Sequence, residues 1–217
     1  MAISTQDRVG GQLVAIGLVG VLITSALYAA SPPATALPEA YPDMAAAFAG
    51  AIPGSVTIRA AGLVGIIGDV LFAAGAAMLC CAGGGRSPTA AAGWAMIAIC
   101  GILFTIVDGI AAFALIPSAA SQSAPATFAA VKLVFDAMFF AGTVATGMGL
   151  LIVFAEERAA VGLLRWAGIA AGSACLIGIV LALTGKPSGQ AIGLALAGSA
   201  LTGALLGRRI SRGVVAG

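Results

Sequence analysis

Long apolar runs, cut only by short polar breaks, constrain this chain more than any other feature. A run of about 20 apolar residues has the length of a bilayer-spanning helix. Six follow one another, over roughly 11–30, 57–82, 91–116, 127–154, 161–184 and 190–207. The hydrocarbon of a bilayer offers backbone groups no water, so each run must close its own hydrogen bonds as a helix. The predicted fold class is all-α: a polytopic transmembrane bundle of six helices, one integral membrane domain over residues 1–217. A water-soluble alternative fails on composition. Charged residues make up only 8% of the chain, against about 25% in soluble domains, and the mean hydropathy is +1.13.

The first run reads as a retained helix rather than a cleaved leader. Its leading segment has Arg8 offset by Asp7, and Tyr28 occupies the −3 position of a poor cleavage site before Ser31. Orientation follows from the basic residues. With both termini cytoplasmic, Arg8, Arg86, Arg158, Arg165, Arg208, Arg209 and Arg212 are inside, whereas Arg59, Lys132 and Lys186 are outside. The expected location is a bacterial inner membrane. The long first loop, 31–56, then faces outward. Within it, residues 43–52 (DMAAAFAGAI) read as a short interfacial helix with Asp43 as its N-cap.

Three acids interrupt the apolar runs: Asp69, Asp108 and Asp136. A carboxylate in hydrocarbon costs about 2.5–3.5 kcal/mol on insertion scales. Asp69 falls near the middle of the second run. Asp108 and Asp136 fall about 7 Å and about 6 Å from the centres of theirs, both toward the outer side, at a rise of about 1.5 Å per residue. Short loops make consecutive helices neighbours, so the three carboxyls are candidates to converge. Lys132 precedes Asp136 by one helical turn and can pair with it or snorkel to the interface. Arg59 is about 15 Å of helix rise from Asp69, too far to pair with it, but within reach of Asp108 or Asp136 if the helices pack closely. Interhelical hydrogen bonding that holds a bundle together accounts for such acids as readily as a proton- or cation-linked site. Two carboxyls in contact would be expected to share a proton.

Small residues predict close packing. Gly62, Gly65 and Gly68 recur every three residues, and Gly168/Gly172 and Gly203/Gly207 form GxxxG pairs. Close packing within the chain and a homo-oligomer or partner-subunit face are both open on this pattern. The four cysteines, Cys80, Cys81, Cys100 and Cys175, form no CxxC and read as small apolar residues. Histidine is absent, which removes the usual haem ligand, most zinc sites and the usual general base. No cofactor or metal site is expected. GGGR at 83–86 lacks the Lys-Ser/Thr of a Walker motif, and no GxSxG or HExxH occurs. An enzyme is therefore disfavoured, although paired carboxylates can do acid–base work. Glu156, Glu157 and Arg158 read as a solvated charge cluster at a helix end. The net charge of +2 argues against a nucleic-acid partner; the expected partner is the lipid bilayer.

Several stretches together resemble a family: MAAAFAGAI, then IRAAGLVGIIGDVLFAAGAAML, FFAGTVATGMGLLIVF and LLRWAGIAAGSACLIG. The chain resembles the bacterial six-helix membrane proteins grouped as the domain-of-unknown-function family numbered 4386. Arg59 and Asp69 approximate that family's Arg-x-x-Gly-x-x-x-Asp-like opening of the second helix. The resemblance implies a fold and a location, not an activity. Three functional classes follow from the residues: small-solute or proton/cation-linked transport through the carboxylates, a non-catalytic accessory or assembly subunit, and a membrane sensor or enzyme.

Overall fold

The computed structural model describes residues 4–31, 43–82, 86–121, 124–186 and 188–213. Most of the loop prolines and Glu39 lie outside them, as do Gly83–Gly85 of the GGGR turn. Among the described residues the protein is all-helical. Six helices are long and apolar enough to cross a membrane: α1 (Thr5–Ala30), α3 (Ser55–Cys81), α4 (Pro88–Ala119), α5 (Ala124–Glu156), α6 (Leu163–Leu183) and α7 (Gly189–Ser211). The short α2 (Met44–Ala51) precedes α3.

Local chemistry sets several boundaries. Ser4 caps α1 by accepting from the Asp7 N–H, and its hydroxyl donates to the Asp7 carboxylate at 2.6 Å. This reciprocal cap starts the helix at Thr5 rather than near residue 11. Ser87 caps α4 by accepting from the Ala90 N–H, with Pro88 in the first turn, where its missing N–H is no loss. Asp43 accepts from the Ala45 and Ala46 N–H groups and caps α2.

Each spanning helix packs on its neighbours in chain order, and α7 returns to α1. The six thus close a ring, with the start of α1 and the end of α7 at the same end of the bundle. Each also turns large aliphatics outward: Ile16, Ile67, Ile102, Leu133, Val180 and Leu194 are all exposed. Such a belt is unstable in water and compatible with lipid. The α2 helix does more than lie at an interface. Ala47 and Ala51 are buried, and Phe48 meets Phe128 of α5 edge-to-face at 5.5 Å between centroids.

The glycines explain why the ring is tight. Gly10 and Gly17 of α1 face Gly75 and Gly68 of α3, so two seven-residue spacings align in antiparallel sense. A methyl added at Gly75 would come within 2.6 Å of the Gly10 carbonyl oxygen. Gly62 and Gly65 point instead at α4, which divides the three-residue repeat between two neighbours. Gly168 is covered by the Phe154 ring, Gly172 meets Gly147, Gly203 meets Leu18 and Gly207 meets Gly11. All seven glycines of the sequence pattern are occupied by contacts within the chain. They therefore lend no support to an oligomer face.

Candidate functional site

At the end of the bundle opposite the start of α1, the helices border a partly open cavity of about 550 Å³. Four helices bring polar groups to it: Thr24, Ser25 and Tyr28 from α1, Asp69 from α3, Asp108 from α4 and Gln190 from α7. The α4 and α5 helices supply an apolar wall that includes Phe104, Phe135 and Phe139.

Asp69 and Asp108 meet here. Both are buried, at 2% and 5% exposure, and their carboxyls lie within hydrogen-bonding reach of each other. The Tyr28 hydroxyl donates to Asp108 Oδ1 at 2.7 Å. Gly65 makes the seat: a Cβ there would overlap the Asp108 carboxylate. One turn away a Cβ at Gly62 would press on the α4 backbone at Asp108 and Ala112. Just beyond Asp108 the helix widens into a π turn over Ala111–Leu115. Pro117 gives the physical reason. It cannot donate to the Phe113 carbonyl, and its ring crowds that position, so the preceding turn opens. Such turns recur at functional sites.

Two buried polar atoms of lining residues have no hydrogen-bond partner among the described residues: Asp69 Oδ2 and Thr24 Oγ1. Buried polar atoms are normally satisfied by protein, water or ligand. Both belong to residues that line this cavity.

Asp136 does not line the cavity. Lys132 is wholly buried and its Nζ lies 2.6 Å from Asp136 Oδ1. The ammonium also stands 5.2 Å from the Phe135 ring centroid. The pairing alternative for Lys132 is therefore realised and the snorkelling alternative is not. Two of the three acids come together, while the third takes its own counter-ion one helix away. Arg59 is exposed and makes no ion pair among the described residues, so it reaches neither Asp108 nor Asp136.

At the terminal end a second polar group closes the bundle. Glu157 is buried, which corrects the solvated reading for that residue, while Glu156 and Arg158 are exposed as expected. Its Oε2 accepts from Arg86 Nε at 2.7 Å and from the Trp94 indole N–H at 3.1 Å. Arg86 also donates from Nη1 to Asp7 at 2.7 Å. Burial works against the Arg86 charge, but the carboxylates of Glu157 and Asp7 outweigh it and hold the guanidinium above its ordinary value. Between this cluster and the cavity lies a void of only about 40 Å³, walled by Phe72, Trp94, Ile97 and Leu150 among others.

Sequence reasoning missed Tyr28, although a lone tyrosine in the last turn of the first run was a visible signal. It missed the buried role of Glu157, because its partners Arg86 and Trp94 are distant in sequence. Comparisons with protein-family models, curated proteins and solved structures find no match to this chain.

Proposed function

We propose that the protein is a small-solute carrier of a bacterial inner membrane, proton-linked through the carboxyl pair Asp69/Asp108, with both termini cytoplasmic. One observation carries the reading: two buried acids share one wall of a cavity whose lining residues hold unsatisfied polar atoms. An acid kept in a membrane against its insertion cost marks a pathway or a relay by default. Two carboxyls in contact titrate as a unit and share a proton, which gives the site a reversible charge. Tyr28 fixes the orientation of Asp108, and no residue from the α5 pair Lys132/Asp136 lines the cavity. The arginines of the terminal end support the cytoplasmic assignment, and the six-helix resemblance to family 4386 is consistent with it. The occupied glycine faces remove one of the two observations that favoured an accessory subunit, the other being the lack of catalytic motifs.

The test is proton movement in proteoliposomes. Wild-type protein, loaded with a pH dye and given a potassium-diffusion potential, should change internal pH faster than empty vesicles. Asp69→Asn and Asp108→Asn should each return the rate to the vesicle background, whereas Arg59→Gln should not. Wild-type rates in both Asn variants would overturn the reading.

A further inference from the structure

We infer that the solute taken by this cavity is an organic cation with an aromatic or aliphatic body. The inference rests on the proposed role of the cavity as a solute site and adds its chemical class. Three features of the wall select for such a molecule. The charged groups facing it are acidic: Asp69 from α3 and Asp108 from α4, with the Tyr28 hydroxyl of α1 already committed to Asp108. The α5 face is aromatic and α7 contributes the neutral Gln190, so no basic side chain lines the cavity among the described residues. An anion would therefore meet only like charge.

The second feature is the apolar surround. Phe104 and Phe139 pack together with ring centroids 5.6 Å apart, and Phe135 continues the wall. Ring faces attract cations, most strongly where water is excluded. A metal ion gains little from them, because it needs several oxygen ligands in place of its water. A cation that brings its own apolar body gains from carboxylates and rings together.

The third feature is size and free valence. A volume of about 550 Å³ falls within the range of pockets that bury a drug-sized molecule, about 300–1,000 Å³. Asp69 and Thr24, both in its lining, each hold a buried oxygen with no hydrogen-bond partner among the described residues. A pair that shares one proton carries one negative charge, and the cation and a second proton compete for it. Binding of the cation to the fully protonated pair releases one proton, and full protonation releases the cation. No covalent bond changes.

The experiment uses the full chain in detergent and tritiated methyltriphenylphosphonium, a fixed cation that carries no exchangeable proton. Scintillation proximity should show saturable binding, weakened at least about tenfold in Asp69→Asn and in Asp108→Asn, as expected when a desolvated charge pair is lost. Unlabelled triphenylphosphine oxide, neutral and of similar shape, should not compete. Phe139→Leu, which leaves the carboxyls in place, should weaken binding about fivefold. In weakly buffered solution a dye should report proton release on binding. No saturable binding, equal competition by the oxide, or unchanged affinity in all three variants would overturn the inference. If vesicle proton movement depends on Asp69 and Asp108 while no phosphonium binds, the cation assignment falls and the proton-linked reading stands. If phosphonium binds without proton release or Asp-dependent proton movement, the cation assignment stands and the proton-linked reading falls.

Discussion

The two ends of the bundle use buried charge in opposite ways. At the terminal end Arg86 joins Asp7 and Glu157, and Trp94 completes the set, so each charge has an oppositely charged partner. Next to it α1 and α3 are at backbone contact through Gly10 and Gly75, and the void between this cluster and the cavity is only about 40 Å³. At the other end two like acids face each other, one hydroxyl serves one of them, and a cavity of about 550 Å³ stays open beside them. Paired charge in a tight shell holds structure. Two acids desolvated together beside free volume cost stability and are explained by use. The difference teaches that buried acids in this chain cannot be read as one class.

The largest expected effect falls on the terminal end. Glu157→Ala leaves the buried Trp94 N–H without its acceptor and the Arg86 guanidinium with Asp7 as its one remaining carboxylate. Removing one partner of a buried pair costs about 3–5 kcal/mol, and thermal unfolding in a mild detergent should show the loss as a large fall in Tm. Glu157→Gln keeps an acceptor for Trp94 and should lose less. An Ala variant as stable as wild type would erase the contrast between the two ends.

Next in size is Gly65→Ala. The added methyl overlaps the Asp108 carboxylate, which must move away from Tyr28 or push α3 from α4. Overpacking of this kind costs about 1–3 kcal/mol. Unlike Glu157→Ala, this variant should also disturb the cavity, so its proton movement should fall further than its stability. Equal losses in both would make Gly65 a packing residue alone.

Much of this was legible in the sequence, for physical reasons that also set the limit. Hydropathy reports length and solvent, so the six spans could be read directly, and local capping chemistry placed α2 behind Asp43. The Lys132–Asp136 pair was legible too, because it lies within one helical turn. The pairing of helix faces was not, since periodicity does not say which neighbour a face meets. Gly68 and Gly65 differ by three residues yet serve α1 and α4 respectively. Tyr28 and Asp108 are 80 positions apart, and Arg86 and Glu157 are 71 apart. Those juxtapositions are products of ring closure, and with them went the meeting of only two acids and the burial of Glu157.

A smaller effect should come from Trp94→Phe, which keeps the ring and removes the N–H bonded to Glu157. Arg86 still serves that carboxylate. A hydrogen bond to a charged group contributes about 1.5–3 kcal/mol, and the retained partner should bring the loss toward the lower end. Thermal unfolding checks it, and proton movement should be unaffected because Trp94 does not line the cavity.

The smallest stability change is expected where the functional change is greatest. Asp69→Asn replaces a buried acid whose Oδ2 has no partner and whose neighbour is another acid. The amide is nearly the same size, carries no charge, and can donate to Asp108. Its N–H takes the place of the shared proton as donor to Asp108, so unfolding in detergent should show a Tm close to that of wild type. Natural sites of this kind trade stability for use. The comparison with Glu157 then becomes quantitative: one buried acid whose removal destabilises the protein, another whose removal does not. A fall in Tm for Asp69→Asn as large as that for Glu157→Ala would mean that Asp69 holds the bundle together, and the two ends would no longer differ in kind.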